Sequence, residues 1–358
     1  MKELLEGLKR VIAYESVENE AQDGRPFGTA VFDCLEEVLS QARALGMKTV
    51  NMDGYCGYAE VGEGELVGIL GHLDVVPVGD GWDSPPFELT ERGGAIYGRG
   101  VMDNKGPTLA NLYAVGELLK EGKVPKKRIR LIFGCNEESG MKCIEYYKAH
   151  AEIPSLAYAP DAEFPLVATE KGIADIKAYV AKPQGLLSIS GGQRRNMVAD
   201  KCTARIEKSA IKDISAASEC KVDDGGDSYI LSAVGLAAHG STPDNGVNAI
   251  KKVLSDLYAI TGEEFYDMLF NKCATDGSGI GMKFADFSGA CTFNIGRIDT
   301  NGDKLKLYLD MRYPVTVPPE RVQRAIDGIS ADNNIRFNAP LNVPHENYLV
   351  KTLLSVYN

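Results

Sequence analysis

Residues 66–77, LVGILGHLDVVP, form an apolar run that breaks into a histidine and an aspartate. Residues 66–70 have the length and composition of a buried strand. His72 and Asp74 follow it two residues apart, so on extended backbone their side chains share a face. Outward from this stretch the same order recurs. A strand predicted at 94–97 precedes Asp103, one at 129–133 precedes Glu137 and Glu138, and one at 155–159 precedes Asp161. Ile129, Leu131 and Phe133 alternate onto one side of their strand. Between the strands, residues 107–121 set Leu109, Leu112, Val115, Leu118 and Leu119 along one helical stripe with Pro107 in the first turn. Residues 140–150 read as a shorter helix that ends at His150, a surface residue near the helix terminus. Strands alternating with helices predict an α/β domain with a mixed, largely parallel sheet. The acidic and histidine residues then gather at the carboxyl ends of strands, the edge where open α/β sheets place their ligands.

Several carboxylates delivered to one place repel one another unless cations neutralise them, and a pair of divalent ions does so best. Asp74 can accept a hydrogen bond from the imidazole nitrogen of His72 that faces away from a metal. Asp103 sits in GRGVMDNKG, where glycines on both sides permit a sharp turn, and its two oxygens can serve two different ions. Of the adjacent Glu137 and Glu138, one can bind metal while the other holds a water and accepts its proton. Taken singly, Asp103 reads equally well as a helix cap, the Glu-Glu pair as a solvated helix start, and His72 with Asp74 as a loop pair. Their common placement favours the metal site.

The rest of the chain bounds this reading. A length of 358 residues exceeds what one hydrophobic core usually fills, which predicts two domains. After about residue 176 the texture turns to hairpins, such as 290–313 around Asp299, Thr300, Asn301 and Gly302, interrupted by helices at 247–260 and 319–329. That predicts an inserted α+β domain, with boundaries at 1–175, 176–340 and 341–358. A formal net charge of -11 with no long basic run excludes a nucleic-acid partner. No apolar stretch is long enough to span a bilayer, and the first ten residues mix both charge signs, so a cytoplasmic protein without a membrane partner is expected. The eight cysteines are scattered and are expected to be reduced and mostly buried; Cys135 is assigned no role.

Five motifs together carry a resemblance. GHLDVVP (71–77), GWDSPPF (81–87), GRGVMDNKG (98–106), NEESG (136–140) and PDAEFP (160–165), in this order and spacing, resemble the M20 metallopeptidases, and within them the bacterial PepV-like dipeptidases. The resemblance implies a zinc-aminopeptidase-like catalytic domain with an inserted lid. It implies that His72 and Asp161 bind one zinc and Glu138 the other, that Asp103 bridges them, that Asp74 orients His72, and that Glu137 is the general base. Asn196, His239 and Arg312 are the implied lid residues for substrate. His239 would donate to the oxyanion, and the planar fork of Arg312 would grip a peptide carboxylate. The expected reaction is hydrolysis of dipeptides by a water lying between two divalent ions. Zinc is the first choice, and manganese or cobalt also suits an oxygen-rich site with one histidine. An N-acyl amino acid deacylase is the alternative enzyme, and a binding paralogue without catalysis the alternative of another class. A small peptide is the expected partner, and an inserted lid favours a monomer.

The family continues past the segment matching VPHENYLVKTLLSVYN with a glycine-rich loop and a final metal-binding histidine. Since the chain ends at Asn358, its second metal site is expected to be incomplete, with Asp103 and Glu138 alone, and its activity weak, as for a truncated product. His345, the remaining histidine, falls where the family pattern has a non-ligand.

Overall fold

The computed structural model describes residues 1–357, and the chain divides into two compact units, Met1–Leu166 and Val167–Asn358. The first unit runs α1 (Lys2–Ile12), α2 (Thr29–Ala44), β1 (Lys48–Met52), β2 (Cys56–Val61), β3 (Leu66–His72), β4 (Thr90–Arg92), β5 (Ala95–Tyr97), α3 (Lys105–Lys120), β6 (Arg128–Gly134), α4 (Lys142–His150) and β7 (Leu156–Tyr158). Five of these strands form one sheet in the order β1-β2-β6-β3-β7. β3 runs parallel to β6 and β7, whereas the β1–β2 and β2–β6 pairings are antiparallel. The sheet is therefore mixed, with only its β6-β3-β7 half parallel.

Alternation along β6 explains the layering. Leu131 and Phe133 join Leu35, Leu39, Leu109 and Leu112 in a core beneath α2 and α3, while Ile132 points the other way to Cys143 and Tyr147 of α4. Along α3, Leu109, Leu112 and Val115 are buried, but Leu118 lies on the outer side and is exposed. The strand expected at 94–97 exists as β5, yet it pairs only with β4 in a separate hairpin. Its turn is Gly93–Gly94, both at positive φ, which is the backbone a two-residue hairpin requires. Asp103 accordingly leaves no strand of the main sheet; it lies in the loop that enters α3.

The second unit comprises β8 (Thr169–Glu170), β9 (Gly172–Ala181), β10 (Leu186–Gly191), β11 (Lys201–Glu207), β12 (Lys221–Asp224), β13 (Ser228–Val234), α5 (Ala249–Thr261), α6 (Glu264–Lys272), β14 (Ala285–Asp286), β15 (Gly289–Ala290), β16 (Thr292–Asn301), β17 (Lys304–Tyr313), α7 (Pro319–Asp327), β18 (Asn333–Asn338), β19 (Leu341–Asn342) and α8 (Tyr348–Tyr357). Eight strands make an antiparallel sheet in the order β12-β13-β11-β10-β16-β17-β9-β18. One face is apolar: Ile176, Ala204, Leu231, Leu307 and Leu309 are buried with Ile250, Val253, Leu254 and Leu257 of α5. Residue 175, the boundary read from the sequence, falls inside β9, and residues 341–357 group with this unit. Among the described residues, no helix is long and apolar enough to cross a membrane. All eight cysteines are free, and only Cys220 is not fully buried.

Candidate metal centre

His72 ends β3 and is buried. Its Nδ1 lies 2.9 Å from the main-chain oxygen of Asp74. A carbonyl can only accept, so Nδ1 carries a proton, and Nε2 is the nitrogen that faces the carboxylates and would offer its lone pair to an ion that displaced its proton. Around Nε2 stand Asp103 Oδ1 at 3.0 Å, Asp161 Oδ2 at 3.5 Å and Glu137 Oε2 at 3.9 Å. Among the described residues, two sets of three could share an ion, His72 with Asp103 and Glu138, and His72 with Glu137 and Asp161; within each set the ligand atoms lie within 4.8 Å of one another. The residues singled out in the first unit thus converge, although they come from four separate segments. Glu137 stands among possible ligands as well as beside them.

Asp74 performs a different task from the one its spacing suggested. The main-chain carbonyl, not the carboxylate, accepts the hydrogen bond from Nδ1–H, and the nearer carboxylate oxygen is 3.6 Å from that nitrogen. The carboxylate instead accepts the backbone N–H groups of Glu137 and Glu138, each at 3.0 Å. Asp74 thereby pins the turn after β6 to the turn after β3.

Several residues that the sequence did not single out hold these turns. Ser16 donates its hydroxyl to the Leu73 carbonyl at 2.6 Å, and its own carbonyl accepts from Val75 N. Lys105 is fully buried, and its ammonium donates to the carbonyls of Val11 and Tyr14 where α1 ends. Burial lowers its pKa, but the negative end of the helix favours its charge. Arg99 bonds the carbonyls of Pro77 and Val78 and lies 5.3 Å over the ring of Trp82, so the GWDSPPF and GRG motifs brace each other.

The electrostatics call for cations. Burial pushes the Glu138 carboxyl up to about 7, and the charge of Asp103 adds to this against the opposing pull of His72. Glu137 is raised for the same first reason, burial, with Asp161 contributing. At His72, burial favours the neutral ring, yet the hydrogen bonds to Asp103 and Asp161 and the nearby charge of Asp74 outweigh it and raise its pKa. The hydrogen bond from His72 holds Asp103 low. One imidazole cannot balance four surrounding carboxylates. An oxygen-rich donor set with a single nitrogen fits divalent ions such as zinc, manganese or cobalt.

In the second unit, Asn196 and His239 are brought together, because Met197 and His239 form a β-bridge and Gly240 N donates to the Asn196 carbonyl at 2.7 Å. Buried Asn294 ties down the same loop through the carbonyls of Arg195 and Met197. Ser241 N donates to His239 Nδ1, which leaves Nε2–H as the outward donor. Arg312 lies on β17, and its Nε and Nη2 already bond the two oxygens of buried Asp310. That side-on pairing uses two of the five guanidinium N–H groups, so the end-on pair, one N–H each from Nη1 and Nη2, is still available for a two-point grip on a peptide carboxylate. His150 is exposed at the end of α4, stacked on Tyr146, and His345 is exposed in the second unit.

Residues 68–336 match the Peptidase family M20/M25/M40. "Putative dipeptidase YtjP" of Bacillus subtilis (strain 168) is 34% identical over 388 residues, spanning 99% of this chain and 83% of that protein. A "Putative dipeptidase" of Staphylococcus epidermidis is 35% identical over 403 residues, with the same shares of the two chains covered. Among solved structures, the fold resembles the M20 family metallo-carboxypeptidase Sso-CP2 of Sulfolobus solfataricus, with a TM-score of 0.57 at 18% identity over 100% of this chain and 84% of that one. It also resembles the dipeptidase Dug1p of Saccharomyces cerevisiae, with a TM-score of 0.54 at 16% identity over 98% and 80%. The fold and the converging carboxylates define a peptidase of the metal-dependent kind. The chain belongs to the peptidase family M20/M25/M40.

Proposed function

We propose that this protein hydrolyses the peptide bond of dipeptides, using two divalent ions held by His72, Asp103, Glu138 and Asp161 with Glu137 as general base. The observation that carries the reading is the convergence of His72 with four carboxylates from three other segments. The relatives named as dipeptidases support the substrate class. Bound there, divalent ions would lower the pKa of a water toward about 7 and polarise the scissile carbonyl. Zinc leads, with manganese or cobalt next.

Glu137 takes the proton of the attacking water and returns it to the leaving amine. Its carboxyl, raised by burial, suits an acceptor that must also give the proton back. Asp74 keeps the Glu137 main chain from drifting through the hydrogen bond to its N–H. In the second unit, His239 with its Nε2–H, Asn196 and Arg312 are the side chains proposed for the substrate. Eight free cysteines suit a reducing compartment, which supports a cytoplasmic location.

The test is to load the purified protein with zinc, manganese or cobalt, count bound ions, and assay a panel of dipeptides against N-acyl amino acids. Cleavage of dipeptides is expected, with Glu137→Gln keeping its ions and losing turnover. A metal-loaded protein that cleaves no dipeptide sinks the reading, and cleavage confined to N-acyl amino acids assigns a deacylase.

A further inference from the structure

One side chain joins more of the centre than any proposed ligand does, and it is neither acidic nor exposed. Asn104 follows Asp103, is fully buried, and uses its whole carboxamide. Oδ1 accepts from the backbone N–H of His72 at 3.3 Å and from the hydroxyl of Thr108 at 2.7 Å. Nδ2 donates to the Pro160 carbonyl and to Asp161 Oδ1, both at 2.8 Å. Three segments are tied in this way: the end of β3, the start of α3, and the loop after β7.

The amide is held from below as well as from the sides. At Gly71 an added Cβ would stand 2.1 Å from Thr108 Oγ1 and 2.9 Å from Asn104 Oδ1, so the carboxamide fills the space in which a side chain would lie. With both acceptor sites and both N–H groups engaged, only one orientation satisfies it, since a flipped amide would set N–H against N–H at His72. Bonding Asp161 through Oδ1 leaves its other oxygen, Oδ2, on the side of His72 Nε2, 3.5 Å away.

We propose that Asn104 is a positioning residue that orients Asp161 and locks it in register with His72, so that the two present one nitrogen and one oxygen to the same ion. The inference rests on the reading of these residues as a metal centre. Asn104 itself binds no ion, because both faces of its carboxamide are occupied. It acts as second-layer partners of metal ligands do, by removing the rotational freedom a ligand would otherwise lose on binding.

Asn104→Asp tests this. The substitution is isosteric, but it replaces both N–H donors with an oxygen that faces the Pro160 carbonyl and the Asp161 carboxylate. Loss of an outer partner of this kind lowers metal affinity by about 10–100-fold. Zinc affinity is to be measured by competition with a chromophoric chelator at 25 °C, with circular dichroism and melting followed on the metal-free protein. At least a tenfold loss of affinity in a folded Asn104→Asp protein is expected. Parent-like affinity in that protein overturns the inference. Asp161→Asn, measured beside it, separates the two claims: if Asp161→Asn also binds zinc like the parent, the metal-centre reading fails and takes the inference with it. Should Asn104→Asp not fold, Thr108→Val removes the hydroxyl that steadies Oδ1 while touching no proposed ligand. A severalfold loss of zinc affinity there supports the positioning role, and parent-like affinity reduces Asn104 to a residue of the fold and refutes it.

Discussion

Gly106 stands in the second position of α3, where helix propensity alone favours its replacement by alanine by about 0.5–1 kcal/mol. The structure predicts the opposite sign. A Cβ on Gly106 would lie 1.9 Å from the Val101 carbonyl oxygen, whereas ordinary contact begins at 3.4 Å. The backbone must therefore open by about 1.5 Å, the difference of those two distances. No rotamer can relieve it, because the obstacle is main chain and Gly106 N is also bonded to the Gly100 carbonyl at 3.1 Å. Overpacking of this sort costs about 1–3 kcal/mol, which exceeds the gain in propensity. At about 2–4 °C per kcal/mol for a unit of this size, a net loss of about 1–2 kcal/mol lowers the melting temperature by about 2–8 °C. The displaced segment carries Asp103, and a misplacement of about 1 Å near a reacting centre can reduce turnover about 100-fold. Differential scanning calorimetry of Gly106→Ala, with kcat/KM on a cleaved dipeptide and ion content per chain, checks both effects. A variant that melts at or above the parent temperature and keeps its activity within about twofold would refute the steric argument and leave propensity in charge.

Asp103→Ala is expected to release both ions together, since its carboxylate faces His72 and belongs with Glu138; elemental analysis that finds two ions per chain would reduce it to a residue preceding the helix cap. In the second unit, buried Asp256 accepts the backbone N–H groups of Ser218, Glu219 and Cys220. Asp256→Ala leaves all three unmet and should cost about 3 kcal/mol in urea denaturation, with a loss below about 1 kcal/mol showing that water replaces the carboxylate. Asp286 sets a pH dependence: desolvation is the largest single effect and opposes its charge, but the hydrogen bonds from Ser288 and Thr316 together outweigh it and hold its carboxyl at about 2, below the ordinary 3.8. A depressed carboxyl stabilises the fold above the unfolded pKa and loses that contribution as pH falls through the folded one. The melting gap between the parent and Asp286→Asn should thus be widest above about pH 5 and close between about pH 4 and pH 2; a gap constant across that range refutes the assignment.

Much of the chemistry was legible because it sits beside strong local patterns. The apolar runs of β3 and β6 mark their own ends, and a sheet edge is where His72, Glu137 and Glu138 had to appear. The buried faces of α3 and β6 follow from residue periodicity. The strand at 94–97 was assigned to the main sheet because a short apolar run carries no record of its partner. Its Gly93–Gly94 turn was nonetheless a hairpin signal, and Asp53–Gly54 between β1 and β2 was another. Leu118 was placed inward because a stripe drawn from periodicity has no edge until the neighbouring helices set one.

What could not be read was the aim of the ligands. Ligand identity resides in single residue types, but orientation resides in contacts between residues far apart in the chain. The ammonium of Lys105 reaches carbonyls more than ninety positions away, at Val11 and Tyr14, and Ser16 reaches Leu73 from fifty-seven positions away. Many of the partners are main-chain atoms, which every residue possesses, so no pattern of side chains announces them. Asp74 shows the consequence. Its spacing from His72 pointed to a bond between the ring and the carboxylate, and the ring is indeed held by Asp74, but through the carbonyl. That choice frees the carboxylate for the amides of Glu137 and Glu138, and so one residue couples the histidine to the proposed base. Asp74→Asn should separate the two functions, because the ring keeps its carbonyl partner while one glutamate amide faces an N–H instead of an oxygen. Ion affinity within about threefold of the parent, with kcat reduced by at least about tenfold, is the expected result. An equal fall in both would mean that the carboxylate holds His72 after all.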